Sequence, residues 1–122
     1  MAQHPEGING LNGYFEWLPN VVVDQHEQGA LRPYYFSPGH PKRTHPFTPQ
    51  LNQDLTAEIS SYTAKALDRI GTTYYSKEGY DDFYYGKGAA YGDAHGSVCL
   101  LYEQGSTRGH LRNTPSGEWT FG

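Results

Sequence analysis

The residues best placed for chemistry lie where apolar runs give way to polar ones. Val21-Val22-Val23 leads into Asp24-Gln25-His26-Glu27, and Ser97-Val98-Cys99-Leu100-Leu101-Tyr102 leads into Glu103. Side chains alternate between the faces of an extended strand, so Asp24 and His26 share a face and Glu27 points away. A histidine beside a carboxylate at a strand end is a candidate metal ligand, because outer carboxylates commonly orient ligating imidazoles. The plainer alternative is a histidine satisfied by a local hydrogen bond. Glu103 closes an apolar run, where a carboxylate is costly unless paired, metal-bound or exposed. Partial burial suits such a group to general-base work; a surface-facing strand-end glutamate is the alternative. Zinc hydrolases commonly draw two ligands from one short motif, and H-x-x-E, H-E-x-x-H and H-x-x-x-H are all missing from this sequence. His26 is followed by Gly29 and Ala30 at plus three and plus four, and His40, His45, His95 and His110 by Arg43, Thr48, Val98 and Asn113 at plus three.

These groups need elements to hold them. Residues 1 to 13, with Gly7, Gly10 and Gly13, read as a flexible or turn-forming lead-in, and Tyr14 to Leu18 as an aromatic segment stopped by Pro19. Val21 to Val23 fit a short strand buried on both faces, as in parallel sheets. Such a strand delivers Asp24 and His26 at its C-terminal end, where open α/β sheets place ligand-binding groups. Pro33, Pro38, Pro41, Pro46 and Pro49 make residues 32 to 49 a long surface loop, with His40 and His45 solvated in it. Thr48 as N-cap, Pro49 at the first helical position and Gly71 as C-cap bracket the clearest helix. Its apolar stripe is Leu51, Leu55, Ile59, Tyr62, Ala66 and Ile70. Thr72 to Tyr75 and Ser97 to Tyr102 read as strands, residues 79 to 96 as an aromatic, glycine-rich loop, and residues 105 to 122 carry no assigned element. The expected fold is therefore α/β, a partial mixed β-sheet with one long helix, in a single domain over residues 1 to 122.

Composition narrows the function. Nine Lys and Arg against thirteen Asp and Glu give a net charge of -4, without the clustered basic excess of a nucleic-acid or anionic-membrane binder. No stretch approaches the roughly 20 apolar residues of a membrane span, and no apolar signal-peptide core opens the chain. Leu, Ile, Val and Phe make up only about 17% of the residues, a level that raises disorder. The 11 Tyr, 5 Phe and 2 Trp point instead to an ordered, aromatic core. The single cysteine, Cys99, excludes an internal disulfide and a Cys-rich zinc module; its apolar surroundings read as those of a buried small hydrophobe. One helix and a few short strands bury little surface, so a segment of a larger domain is expected.

Two blocks of sequence resemble the zinc carboxypeptidases of the carboxypeptidase A type. Pro19 to Gly29, followed by Tyr34-Tyr35-Phe36-Ser37-Pro38, is similar to the segment carrying that family's third zinc ligand. Tyr80 to Gly88, Tyr91-Gly92-Asp93, Gly96-Ser97 and Leu101-Tyr102-Glu103-Gln104-Gly105-Ser106-Thr107-Arg108-Gly109-His110 resemble the approach to its catalytic glutamate. The resemblance spans roughly residues 18 to 112, in the family's order, with a helix between the blocks. It implies the C-terminal half of a larger catalytic α/β domain that hydrolyses peptide or amide bonds near a C-terminal carboxylate. By the same resemblance His26 is a zinc ligand, and Glu103 is the general base toward zinc-bound water. Tyr84, Tyr85 and Tyr91 fall where the family has a mobile substrate-covering tyrosine, with Tyr85 and Tyr91 taken as substrate-binding candidates. Arg108 is a local candidate for gripping a carboxylate. The family's upstream H-x-x-E pair and carboxylate-binding arginines have no counterpart among the 25 residues before His26, so the zinc site expected of this chain is incomplete and the chain by itself inactive. The competing expectations are a non-catalytic module whose tyrosines stack on sugar or peptide, and a metal-free relative that associates through an exposed sheet edge.

Overall fold

A computed structural model describes residues 4–30, 32–106, 111–113, 115–117 and 119–121. The fold is α/β, with one long helix and a four-stranded mixed sheet in the order β1-β4-β2-β3. Its strands are β1 (Val21–Gln28), β2 (Tyr34–Phe36), β3 (Tyr74–Tyr75) and β4 (Val98–Gly105). β1 runs parallel to β4, β2 antiparallel to β4, and β3 parallel to β2. A separate two-stranded pair joins β5 (Leu111–Asn113) to β6 (Trp119–Phe121), in the stretch where the sequence suggested no element.

The apolar run of β4 makes it the central strand: Val98, Cys99, Leu100 and Leu101 are all buried. Tyr35, Ala89 and Leu101 form the core on one sheet face, with Tyr75 and Tyr80 packed against them. The aromatic core expected from composition is thus present. Cys99 is a buried small residue, as expected. Its thiol also accepts the Gly92 N–H at 3.1 Å, and burial, then the charge of Asp93, push it up to about 11. β1 differs from the expected doubly buried strand. It is an edge strand, eight residues long, with Val21 and Val23 exposed.

Helix α1 (Pro5–Trp17) occupies what read as a flexible lead-in. Glycine weakens a helix by about 1 kcal/mol per site, and tertiary packing outweighs that here. The Tyr14 hydroxyl lies 2.8 Å from Ser97 Oγ, and the Tyr14 and Phe15 rings meet Tyr91 and His95 edge-on. Leu18, in the left-handed conformation at φ 44°, ends the helix. A short helix α3 (Gly88–Tyr91) and a 3₁₀ turn at Gly92–Ala94 interrupt the tyrosine-rich loop, and another 3₁₀ turn at Pro41–Arg43 interrupts the proline-rich one.

The long helix α2 (Gln50–Ile70) ends at Gly71 as expected, φ 71°, but it is rotated about a quarter-turn, so that the flank beside the apolar stripe faces inward. Leu51, Leu55, Tyr62 and Ile70 are exposed, whereas Asn52, Thr56 and Ser60 are buried. The inward face is short and polar because it meets backbone groups. Asn52 Nδ2 donates to Asp93 Oδ1 at 2.8 Å and to the Ser97 carbonyl at 2.9 Å; Ser60 Oγ bonds the Ser37 carbonyl; Thr63 Oγ1 lies 3.2 Å from the Tyr102 hydroxyl. Thr48 does not cap the helix. Pro49 occupies the cap position, and Thr48 Oγ1 instead pairs with the Tyr85 hydroxyl at 3.0 Å.

Two outcomes follow from this rotated helix and its acidic neighbours. Asn52→Ala is expected to cost about 1–3 kcal/mol by leaving buried partners unsatisfied, and Leu51→Ser to stay within about 0.5 kcal/mol, both read by urea denaturation; equal losses would contradict the packing. Burial also raises Asp82, whose Oδ2 accepts the Gly39 N–H at 2.8 Å. A raised carboxyl favours folding fully below its ordinary 3.8 and loses that advantage as pH rises through its folded value. Asp82→Asn, which keeps an acceptor oxygen, is therefore expected to raise the melting temperature at pH 7, with the gain vanishing as pH falls below 3.8.

Candidate functional site

Parallel pairing sets β1 against β4 with Asp24 opposite Leu101 and His26 opposite Glu103. Register partners in a sheet share a face, so the two residues singled out in separate parts of the sequence occupy adjacent positions on one surface. β2 adds Tyr35 on the other side of Glu103, as its antiparallel partner. The chain thereby places histidine, glutamate and tyrosine side by side across three strands.

Asp24 and His26 share a face as the alternation required, and His26 Nε2 lies 2.6 Å from Asp24 Oδ1. The carboxylate is the more enclosed partner, 26% exposed against 53% for the imidazole, so the acid orients a ring that reaches into solvent. The Nε2 hydrogen then faces Asp24, and Nδ1, engaged by no described residue, carries the available lone pair. Gly88 makes room for this pair: a Cβ there would lie 2.8 Å from Asp24 Oδ2. A hollow of about 520 Å³ borders His26 from the other side of the sheet, where Gln25, Glu27, Tyr34, Tyr102 and Gln104 line it, so it does not adjoin Glu103.

Glu103 is buried, 8% exposed, and no ion pair to it occurs among the described residues. Its surroundings are phenols. The Tyr80 ring lies 4.2 Å from that of Tyr35, and the Tyr75 ring 5.2 Å from Tyr35. The Tyr80 hydroxyl donates to Gln28 Oε1 at 3.3 Å; burial first, then the Glu103 charge, push it up to about 12. Tyr35 is fully buried, its hydroxyl lacking a hydrogen-bond partner among the described residues. Burial, then the charge of Asp82, raise it as well.

The tyrosines chosen from the sequence are elsewhere. The Tyr85 ring lies tilted against His45 at 4.2 Å and its hydroxyl pairs with Thr48, and Tyr91 stacks on His95 at 4.4 Å within the contact of α1 and α3. Both are held by these local partners, and neither has a contact with Glu103 or His26. Tyr84 is exposed, folded over Gly86. Arg108 lies outside the described residues. His40 and His45 are not simply solvated: the first accepts from the Lys42 N–H, the second from the Phe47 N–H. Tyr75, Tyr80 and Gln28 are the site residues that sequence reasoning missed. The pairing of Tyr34-Tyr35 with Tyr74-Tyr75 is a long-range fact, and no local spacing announces it.

The resemblance implies zinc, and the donor set tests that. His26 offers one oriented imidazole nitrogen, the kind of donor zinc takes. Among the described residues no group of three or more His, Cys, Asp or Glu converges to hold a metal ion. These residues therefore do not complete a zinc centre. Comparison of the chain with protein-family models, with curated proteins and with solved structures finds no match.

The Asp24–His26 bond has a direct readout. In wild-type protein the neutral His26 ring is expected to carry its proton on Nε2, and in Asp24→Ala to lose that preference, as read by ¹⁵N correlation of the ring nitrogens. A ring already averaged between tautomers in the wild type would contradict the orienting role.

Proposed function

We propose that this chain carries half of a zinc carboxypeptidase-type hydrolytic site, with His26 as a metal ligand and Glu103 as the general base. The observation that supports this reading is the β1–β4 register, which sets an Asp-braced imidazole next to a buried carboxylate on the same sheet face. Two residues 77 positions apart, each picked out by its own strand end, meet on one sheet face. No cation pairs with Glu103 among the described residues, which suits it to accept a proton from water at that face. The remaining ligands must come from outside the described residues, and the substrate is a peptide or amide with a nearby terminal carboxylate. The free β1 edge is the natural place for self-association.

Zinc titration followed by ¹⁵N correlation tests the reading. Zinc is expected to perturb His26 Nδ1 ahead of His40, His45 and His95, with the response lost in His26→Ala; equal perturbation of all four would overturn it. In any longer form of the polypeptide that supplies the other ligands, Glu103→Gln is expected to lower kcat by about 10²–10⁴-fold with zinc retained.

One observation favours a second reading, a non-catalytic aromatic binding face. Phe47, Phe83 and Tyr84 are 83%, 55% and 67% exposed, and Phe47 and Phe83 flank His45. Resonance shifts confined to these rings when metal-free protein meets a short oligosaccharide or peptide would support it, and their absence would remove it.

A further inference from the structure

The inward flank of α2 carries three buried polar residues, each one turn from the next. Asn52 donates to Asp93 Oδ1 and the Ser97 carbonyl, and Ser60 to the Ser37 carbonyl. Thr56, between them and 7% exposed, has no hydrogen-bond partner for its hydroxyl among the described residues. Sealed and unpaired side-chain oxygens are confined, among those residues, to Tyr35, so the Thr56 hydroxyl is open to the cavity that its side chain lines. That cavity, of about 310 Å³, lies between α2 and the loops that carry Gly39, Asp82 and Asp93.

The other walls add unpaired acceptors. Asp82 Oδ2 accepts the Gly39 N–H at 2.8 Å, and Asp93 Oδ1 accepts from Asn52 Nδ2 at 2.8 Å and from the Cys99 N–H at 3.4 Å. Asp82 Oδ1 and Asp93 Oδ2 have no partner among the described residues, and neither carboxylate forms an ion pair there. Both amide hydrogens of Asn52 are used, so its Oδ1 is left to accept. Lys77 also borders the cavity, but it is exposed and pairs with neither carboxylate. With oxygens in excess, the occupant that fits is a cation rich in N–H groups, and a primary ammonium offers three. A metal ion fits less well, because no group of three or more His, Cys, Asp or Glu converges among the described residues. A second hollow, of about 270 Å³, shares Pro38, Ala57 and Lys77 with the first and adds Phe36, Ala64 and Tyr74, walls suited to an apolar body.

We propose that the α2 cavity binds a small primary ammonium with an apolar body, its N–H donors taken by the unpaired oxygens of Asp82 and Asp93. The site is separate from that of His26 and Glu103. It shares no wall with the hollow bordering His26, and Cys99, which lines it, precedes Glu103 by four residues of β4, about 13 Å of strand. The proposal therefore stands apart from the hydrolytic reading.

Titration of the 122-residue chain with benzylammonium at pH 7, followed by ¹H–¹⁵N correlation, tests it. Saturable shifts are expected at Gly39, Thr56 and Cys99, with a Kd of about 1 mM or tighter. Two controls separate charge from donors: benzyl alcohol has a similar shape without the charge, and benzyltrimethylammonium has the charge without an N–H. Each is expected to bind at least about tenfold more weakly. Asp82→Asn, which keeps an acceptor for Gly39, and Asp93→Asn are each expected to weaken benzylammonium about tenfold or more; should Asp93→Asn fail to fold, Asp82→Asn decides. Absence of saturable shifts, equal binding of either control, or an unchanged Kd in Asp82→Asn overturns the proposal. Calcium that shifts the same amides and displaces benzylammonium also overturns it, by making the cavity a metal site.

Discussion

The parallel alignment of β1 with β4 is the constraint from which the site follows. A parallel pair fixes its register through evenly spaced hydrogen bonds, and a slip of one residue would turn every side chain of β1 to the opposite face. In the register observed, Asp24, His26 and Gln28 stand over Leu101, Glu103 and Gly105. Shifted by one, Gln25 and Glu27 would face Glu103, and His26 would leave the phenol-lined surface. Burial sets the register from the β4 side, because Val98 to Leu101 are enclosed on both faces. The ends help as well: the Val98 N–H donates to the Asn20 carbonyl and the Ser106 N–H to the Gln28 carbonyl, each at 2.8 Å.

What could be read from the sequence was local. Val21 to Val23 and Val98 to Leu101 announce strands by composition, Gly71 announces a helix end, and strict alternation puts Asp24 beside His26. The errors have a common physical origin in partners distant in sequence. α1 forms despite three glycines because Tyr14 and Phe15 find Ser97, Tyr91 and His95 about 80 residues away. α2 was recognisable in length but not in facing, because hydrophobic periodicity assumes an apolar neighbour, and this helix lies against backbone carbonyls and Asp93. Tyr85 and Tyr91 were chosen by position in a loop, whereas the tyrosines around Glu103 come from β2, β3 and the turn at Tyr80.

A buried carboxylate without a cation has few ways to remain ordered. An arginine or lysine would hold Glu103 but would also compete with water for its lone pairs, weakening it as a base. Phenols make a milder neighbourhood: the Tyr75 and Tyr80 hydroxyls donate to Gln28 Oε1, and Tyr80, pushed up to about 12, stays neutral throughout the neutral range. His26 is likewise braced by Asp24 through one nitrogen, while the other has no partner among the described residues. His26 is thus oriented by a charge two residues away, whereas Glu103 lies among neutral phenols, which leave its negative charge intact.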